Sequence, residues 1–438
     1  MGNTTCIGRI GALAVALGIG AGMAAMPWAA SAKPASSDSS STDTTASSSS
    51  DTCNCQKLRP VTVSTNGVTR VQGASTATSS GTGSVAIAKG ADSEVTALNG
   101  SKAMAFGSGD TVSATGPNSR ALVIGNDSTA LAYGGSNNRA TVLGDNSTAV
   151  AGSFGTEAGG GGSNNTATVK GDNSTAYAGS TLTTIGTDLN NSNNTAIASG
   201  DGAFAQAGTL GSNNSGNTAT ATNTGDDSHF TIAEAGVGGD NNTDNTASAY
   251  NSGIGGFAQA DAGVIGDNNT DNTATAYNSG ARGDAVAAAG DGGSSSGNSA
   301  LAINTGADSF VDAGAGSGVV TGTGNTNNTA TADNSGDNST TEAVAGAGSD
   351  NTGNRALATN NGDNAITGAF AGSFGDGTSP DVLVNGGVFT NGDNNVDNTA
   401  TATNTNTGAT TEAAAGSFGS NQFDYTATAA DGSTEVQP

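Results

Sequence analysis

Residues 235–253 read AGVGGDNNTDNTASAYNSG, and residues 262–280 read AGVIGDNNTDNTATAYNSG, so one segment recurs almost unchanged after 27 positions. A shorter core, Asn-[Thr/Ser/Arg]-Ala-x-[Ala/Val], recurs along most of the chain. Its copies start at Asn138, Asn165, Asn194, Asn217, Asn245, Asn272, Asn298, Asn328, Asn354 and Asn398, at intervals of 27, 29, 23, 28, 27, 26, 30, 26 and 44. A nearly constant period of this length predicts stacked structural repeats. The longest interval predicts an inserted loop or hairpin around residues 379–384.

Each copy has the sequence pattern of two strands and two turns. Residues 328–334 (NTATADN) and 341–346 (TEAVAG) alternate with the period of a β-strand. Residues 335–338 (SGDN) and 348–351 (GSDN) contain Gly and Asn, which accept positive φ at little cost. Beyond Ala32 we find no apolar spacing typical of a helix. The pattern therefore predicts strand, turn, strand, turn in every repeat.

Charged residues indicate which phase of the alternation faces solvent. The phase that holds Thr329 and Thr331 carries charges in several copies, at Arg139, Lys170, Asp333 and Arg355. Because charged side chains are rarely buried unpaired, this phase is predicted to face outward, with Ala330 and Ala332 facing inward. Four apolar residues also fall on the outward phase and predict a contact surface: Ile197, Leu301, Ile303 and Leu357.

These patterns predict an all-β fold, a parallel β-solenoid (β-roll) with two strands in each repeat of about 27 residues. Main-chain hydrogen bonds between successive coils replace a bulky core, and Asn side chains stack at corners such as Asn251, Asn278, Asn304 and Asn334. The expected divisions are a signal peptide (1–32), a disordered Ser/Thr-rich linker (33–57), an N-terminal cap with irregular repeats (58–117), the solenoid repeats (118–430) and a disordered tail (431–438). Residues 61–63 are the candidate cap, and Phe154, Phe374 and Phe418 are predicted to cover one edge.

The composition excludes a conventional thick core. Leu, Ile, Val and Phe supply 60 of 438 residues, while 70 residues are Gly. A chain so poor in large apolar residues is either disordered or folded around small side chains. Its net charge is −25, and the only basic residues after Lys170 are Arg282 and Arg355. Such a surface repels phosphates, so we expect no nucleic-acid partner and no anionic lipid partner.

The N-terminus has the features of an export signal. Arg9 precedes an Ala/Gly-rich apolar run that ends near Met26, and a small-x-small site predicts cleavage between Ala32 and Lys33. A transmembrane anchor is the alternative, but the run is diluted by Gly and Ala. Residues 7–18 resemble leaders of exported actinobacterial proteins. No second apolar span follows, so the mature form is predicted to be secreted or at the cell surface without a membrane span.

Few residues offer chemistry beyond the repeats. Cys53 and Cys55 are the only cysteines after the leader, and we expect a disulfide within or between chains rather than a metal or redox site. The single histidine, His229, lies in an ordinary turn-to-strand segment. No nucleophile, base and metal set at catalytic spacing is present, so no enzyme activity and no cofactor are predicted. Asp-Asn turns at residues 267–269 and 393–395 leave a weak structural calcium role open.

Residues 84–154 resemble the head repeats of trimeric autotransporter adhesins and haemagglutinin-like repeats. The segments that carry the resemblance are 84–88 (SVAIA), 102–107 (KAMAFG), 119–125 (SRALVIG), 128–134 (STALAYG) and 147–152 (STAVAG). The resemblance implies a left-handed parallel β-roll with a unit of about 14 residues, two of which fit one of the longer repeats. It also implies adhesion at a cell surface and a homo-oligomer. Residues 239–247 and 324–330 faintly resemble curli-type amyloid repeats.

Three functions follow as hypotheses. The first is a surface structural or adhesive protein that contacts a host or cell-surface protein or glycan, or itself. The second is a disordered or amyloid-like matrix or wall protein. The third is ice or polysaccharide binding through rows of outward Thr. The predicted contact face comprises Thr218, Thr220, Thr222, Thr246, Tyr250, Thr273, Thr275, Tyr277, Thr399, Thr401 and Thr403.

Overall fold

A computed structural model describes residues 61–437, with gaps at 72, 153–161, 180–189, 226–229, 255, 282, 291, 317–322, 347, 373–392 and 417–419. Several sequence predictions lie outside the described residues. They are the signal peptide with Ala32 and Lys33, the linker, Cys53, Cys55, His229, the insertion at 379–384, and the three edge residues Phe154, Phe374 and Phe418.

The regular secondary structure of the described residues is entirely β, and the predicted parallel β-solenoid is confirmed. Successive coils each add one strand to a sixteen-stranded sheet, called the long sheet here. Its strands are β1 (Val61–Thr65), β2 (Val68–Val71), β4 (Val85–Lys89), β6 (Lys102–Phe106), β8 (Arg120–Ile124), β10 (Arg139–Val142), β12 (Thr166–Val169), β14 (Thr195–Ser199), β16 (Thr218–Asn223), β18 (Thr246–Asn251), β20 (Thr273–Asn278), β22 (Ser299–Asn304), β24 (Thr329–Asn334), β26 (Arg355–Asn360), β28 (Thr399–Asn404) and β30 (Thr426–Ala430).

The opposite wall of the coil is made of two further sheets, together called the second face. A ten-stranded sheet contains β3 (Thr76–Ser80), β5 (Glu94–Leu98), β7 (Thr111–Ala114), β9 (Thr129–Ala132), β11 (Thr148–Gly152), β13 (Thr175–Gly179), β15 (Ala203–Ala205), β17 (Thr231–Ala233), β19 (Phe257–Ala258) and β21 (Asp284–Ala285). A five-stranded sheet contains β23 (Phe310–Val311), β25 (Thr340–Ala345), β27 (Ile366–Ala371), β29 (Thr410–Ala415) and β31 (Thr434–Gln437).

Pairing between coils is parallel and keeps like residues in register. Thr246 pairs with Thr273, Ala247 with Ala274, and Asn251 with Asn278. The inward positions of both walls form one core that consists almost entirely of Ala and Val. Ala330 and Ala332 are fully buried, while Thr329 and Thr331 are half-buried, so the predicted facing is correct. Small inward side chains let the two walls approach closely, and the interior strands of each sheet pair with a strand on either side, which satisfies their backbone groups.

The coils are not of one size. In the long sheet, Val85 pairs with Lys102, Lys102 with Arg120 and Arg120 with Arg139, so these first coils are short and lengthen gradually. The next pairing joins Arg139 to Thr166 and closes a much longer coil. Within the region expected to hold the cap and irregular repeats (58–117), the strands from Val85 onward therefore form regular but shorter coils. Their pairings do not follow the still shorter unit that the family resemblance implies. The larger coils carry an additional one-residue parallel ladder, for example Thr243 with Thr270.

The two ends of the described solenoid differ. At the N-terminal end β1 and β2 form an antiparallel hairpin, and β1 also pairs antiparallel with β4, so the strand predicted to act as a cap occupies that place. At the other end, the expected disordered tail at 431–438 is wrong. Thr434–Gln437 forms β31 and pairs with β29, because the alternating sequence TEVQ can continue the ladder of the coil below.

Within the described residues, no helix is long and apolar enough to cross a membrane.

Candidate contact face and buried polar ladders

Most strands of the long sheet are preceded by a residue with left-handed backbone conformation (positive φ), which is followed by Asn. Asp244 and Asp271 have φ of 54° and 55°, Asn327 has 55°, and Gly216 and Gly353 take the same place with φ of 71° and 68°. Asn, Asp and Gly are the residues that tolerate this region, and the reversal turns the next side chain into the coil. The repeated core starts with Asn because this inward corner needs a polar group.

That corner residue forms a continuous buried column, the N-terminal Asn ladder. Its ten members are Asn138, Asn165, Asn194, Asn217, Asn245, Asn272, Asn298, Asn328, Asn354 and Asn398, and all are at most 1% exposed. Asn272 is typical, since its Nδ2 donates to Asn245 Oδ1 at 3.0 Å and to Ser295 O at 3.1 Å. Its Oδ1 accepts the Nδ2–H of Asn298 at 3.0 Å and the Asn298 backbone N–H at 3.1 Å. The column therefore links each coil to its neighbours through side chains as well as backbone.

In the short coils, Ser takes the position of the ladder Asn. Ser119 precedes Arg120 as Asn138 precedes Arg139, and Ser101 and Ser84 continue the column. The backbone N–H of Asn138 donates to Ser119 Oγ at 3.2 Å, so the junction between the two coil sizes is also bonded. A shorter side chain suits the smaller coil, and the longer Asn reaches the extra segment of the larger one.

A second column, the C-terminal Asn ladder, closes the other end of the long-sheet strands. It contains the four predicted corner residues and three others: Asn223, Asn251, Asn278, Asn304, Asn334, Asn360 and Asn404. Asn278 Nδ2 donates to Asn251 Oδ1 at 3.0 Å, and the N–H of Gly280 donates to Asn278 Oδ1 at 3.1 Å. Each Asn thus fixes both the stacking of coils and the turn that follows its own strand.

The outer surface of the long sheet presents the predicted contact residues in rows. Eight of the eleven lie together on the adjacent strands β16, β18 and β20: Thr218, Thr220, Thr222, Thr246, Tyr250, Thr273, Thr275 and Tyr277. They are half-buried, except for the exposed Thr273. The other three, Thr399, Thr401 and Thr403, lie on β28, four strands further along the same sheet. The row formed by the first residue of each strand is Thr or Ser on every coil from Thr166 to Thr329.

Aromatic and aliphatic side chains interrupt the hydroxyl rows in one area. The rings of Tyr250 and Tyr277 are stacked, with centroids 5.1 Å apart and planes at 6°. On the next coil Ile303 follows Tyr277, and Leu301 follows Thr275. The outward apolar residues noted in the sequence are thus extensions of the Thr and Tyr rows. Together Tyr250, Tyr277, Leu301 and Ile303 are called the apolar patch below.

Charge differs between the two walls. Within described strands, Lys and Arg occur only in the long sheet, at Arg70, Lys89, Lys102, Arg120, Arg139 and Arg355. The long-sheet strands hold a single acidic residue, Asp333, whereas Glu94, Asp284, Glu342, Glu412 and Glu435 lie in strands of the second face. A chain with net charge −25 therefore presents one wall that is largely hydroxyl-bearing and locally basic.

The Asp-Asn turns, where the sequence leaves a calcium role open, use their carboxylates for the backbone. Asp267 Oδ1 accepts the N–H of Asp240 at 2.7 Å, and Asp393 Oδ1 accepts the N–H of Ser349 at 2.9 Å. One oxygen of each carboxylate is thus bonded to the backbone of the preceding coil. Over the described part of the chain, no group of three or more His, Cys, Asp or Glu side chains is arranged to hold a metal.

The second face carries acidic side chains that the sequence analysis missed. Burial raises the pKa of Glu234 to about 7, of Asp261 to about 6 and of Asp312 to about 7. Burial, with the neighbouring carboxylates Asp312 and Glu412, raises the pKa of Glu342 to about 7. The sequence signal was present, since these residues alternate with inward Ala (233-AEA-235, 260-ADA-262), but a single acidic residue in such a segment resembles an ordinary exposed position.

In comparisons with protein-family models, with curated proteins and with solved structures, no match was found.

Proposed function

We propose that this chain is a non-enzymatic, secreted structural and adhesive protein whose long sheet is the contact face. The observation that carries the proposal is the in-register repetition of outward Thr, Ser and Tyr side chains on successive coils. A repeated row offers the same contact many times along one rod, so many weak contacts add up to firm attachment.

The size of the face fits this role. Sixteen strands spaced about 4.8 Å apart give a length of about 70 Å, and strands of four to six residues give a width of about 13–20 Å. The product, about 900–1,400 Å², exceeds the roughly 800 Å² that each partner buries in a standard protein interface. The partner that suits the face is a cell-surface glycan or protein, because its side chains are hydroxyls, Tyr rings and a few cations.

A closer relationship to trimeric autotransporter heads is part of the proposal. It is supported by the parallel coils in residues 84–152 and by an apolar cluster of Ile87, Met104 and Leu122 that is separate from the main core. The coils there, which step from Val85 to Lys102 and on to Arg120, are longer than the unit of that family. Sedimentation of the full chain should give a trimer if the relationship extends to assembly, and a monomer would remove this part of the proposal.

Attachment can be tested with substitutions that copy the chain's own rows. Tyr250→Thr with Tyr277→Thr and Leu301→Thr replaces three patch residues by Thr. Thr222 is the neighbour in register of Tyr250, and Thr275 and Thr331 are the neighbours of Leu301. The matched control is Phe310→Thr on the second face, where Phe310 is 42% exposed and pairs with Thr340. We expect the triple variant to lose binding to cells or to a glycan array and the control to keep it. Equal binding by both variants would contradict the assignment of the face.

Export has its own test. The mature protein recovered from the medium or cell surface should begin at Lys33, as shown by N-terminal sequencing. Retention of the protein in the cell interior would contradict the proposal. Thermal hysteresis of the purified chain without cell binding would instead favour the ice-binding hypothesis.

A further inference from the structure

A column of buried hydroxyl side chains, called the Ser column here, lies at the corner where strands of the second face begin. Each member directly precedes the first residue of a strand, and the members are Ser75, Ser93, Asp110, Ser128, Ser147 and Ser174. All are at most 6% exposed. From Ser93 onward, the backbone N–H of each member donates to the side-chain oxygen of the member on the preceding coil, at 3.0–3.2 Å. Asp110 thus occupies a position that serine holds on the other five coils.

The serines of this column also donate a hydrogen bond to the following coil. Ser128 is typical, since its Oγ donates to the carbonyl oxygen of the turn residue Gly144 at 2.9 Å. The same bond to a turn glycine is made by Ser75 to Gly90, by Ser93 to Gly107 and by Ser147 to Gly171. Each bond satisfies a turn carbonyl and ties one coil to the next. The corresponding acceptor for Asp110 is Gly125 O.

The two carboxyl oxygens of Asp110 differ in their surroundings. Oδ1 accepts the backbone N–H of Ser128 at 3.2 Å, as a serine Oγ does elsewhere in the column. Oδ2 is buried and has no hydrogen-bond partner among the described residues. Gly125 O and Asp110 Oδ2 both lie beside the point where a Cβ on Gly107 would stand, at 1.4 and 2.6 Å from it. Two acceptor oxygens therefore face each other in a buried space, and a proton on one of them would satisfy both.

We propose that Asp110 is protonated in the folded chain and that its Oδ2–H donates to Gly125 O, which makes this bond a pH-sensitive latch between two coils. A neutral carboxyl has one donor and one free acceptor oxygen, so it reproduces both bonds of a serine hydroxyl in the column. When the carboxyl ionises, the donor is lost and two buried oxygens repel each other. The coil then opens more readily. The latch does not depend on the adhesive function.

The charges around Asp110 favour the neutral carboxyl. Burial, assisted by the carboxylates Asp127 and Asp145 on the next two coils, raises the pKa of Asp110 to about 7, while the backbone N–H of Ser128 acts in the opposite direction. Asp92 is exposed in the turn of the preceding coil. The charged side chains on the neighbouring strands β4, β5, β6 and β8 occupy outward positions: Lys89, Glu94, Lys102 and Arg120.

The latch should respond to pH in one direction. A carboxyl whose pKa is raised on folding contributes stability that is fully present below its ordinary pKa and is lost as pH rises through the folded pKa, here about 7. The equilibrium constant for opening the coils around Asp110 should therefore be on the order of 50- to 100-fold larger at pH 8 than at pH 5.

The experiment is amide hydrogen exchange of the full chain between pH 5 and pH 8, read by mass spectrometry in peptides from β7 to β9 and corrected for the intrinsic exchange rate. The original chain should lose protection as pH rises. Asp110→Asn should not, because its Nδ2 donates to Gly125 O at every pH. Asp110→Ser copies the rest of the column and should also be independent of pH. Circular dichroism reports whether each variant folds, and the Ser variant serves if the Asn variant does not.

The matched control is Asp92→Asn, which removes a carboxylate from the turn of the preceding coil. Asp92 has φ of 57°, and Asn146 adopts φ of 50° at the corresponding turn, so the substitution suits the backbone. The control should keep the full pH response of the original chain. Equal protection of β7 to β9 at pH 5 and pH 8 in the original chain, or the same pH-dependent loss in a folded Asp110 variant, would overturn the proposal.

Discussion

The N-terminal Asn ladder makes a quantitative prediction at Asn272, in the middle of the solenoid. This side chain is fully buried and takes part in four hydrogen bonds, two as donor and two as acceptor. Each such bond contributes about 1 kcal/mol net, and an orphaned buried donor costs about 1–3 kcal/mol more. The Asn298 N–H loses its acceptor in Asn272→Ala, so we expect a loss of roughly 5 kcal/mol in the free energy of unfolding.

The loss should be local as well as large, because each coil of a solenoid is stabilised chiefly by its neighbours. Urea unfolding followed by circular dichroism measures the total, and amide hydrogen exchange locates it. The amides of β20 and of the coils on either side should lose protection first. The control is Thr273→Ala, which removes the next, exposed side chain and should cost no more than about 0.5 kcal/mol.

A second substitution separates the donor role from simple packing. Asn272→Asp keeps the shape and the oxygen that accepts both bonds from Asn298, but it loses the two donated bonds and places a carboxylate oxygen against Asn245 Oδ1. At neutral pH we expect it to destabilise at least as much as Asn272→Ala, with partial recovery in acid, where a protonated carboxyl donates again. If Asn272→Ala and Thr273→Ala differ by less than about 1 kcal/mol, the ladder does not hold the coils together and the reasoning fails.

Three further predictions follow from the same physical arguments. Thr231 is fully buried and its hydroxyl has no hydrogen-bond partner, so Thr231→Val should stabilise the fold by about 1 kcal/mol. The control Thr367→Val removes a hydrogen bond to Asn360 Oδ1 and should not stabilise the fold. Equal effects of the two substitutions in urea unfolding would contradict this prediction. Gly253→Ala should prevent normal stacking, because the added Cβ would overlap the carbonyl oxygen of Gly280. Gly408→Asn should be tolerated, because φ at Gly408 is 69° with open space around it and Asn364 has φ of 52° at the matching turn. Thermal melts of both variants check the contrast. Burial raises the pKa of Glu234, Asp312 and Glu342 to about 7, so the folded state holds protons that the unfolded chain releases, and this stability is fully present below the ordinary carboxyl pKa and is lost as pH rises through about 7. The urea midpoint should therefore be higher near pH 5 than near pH 8, and a flat or reversed profile would show that these carboxyls are not buried in solution.

The sequence by itself determined the fold class and the facing of the strands. Side chains alternate with period 2 in any strand, so Ala330 and Ala332 had to share one face and Thr329 and Thr331 the other. The repeat period fixed which residues of successive coils meet, and the corner Asn251 and Asn278 were predicted on that basis. The tail at 431–438 was misjudged because so short a segment carries too little pattern to reveal that it continues a ladder.

Only the tertiary structure decided the coil sizes, the bonding of the ladder and the buried carboxyls. A coil can close early, as from Val85 to Lys102, or late, as from Arg139 to Thr166. The larger coils carry an additional one-residue ladder, and pairing between coils, not the local sequence pattern, determines whether a coil contains it. The burial of Asp261 and the partial burial of Glu234 depend on residues that are distant in the chain, on coils that stack above and below. The alternation of a strand tells which side chains point outward, but neighbours in space determine whether outward also means exposed to water.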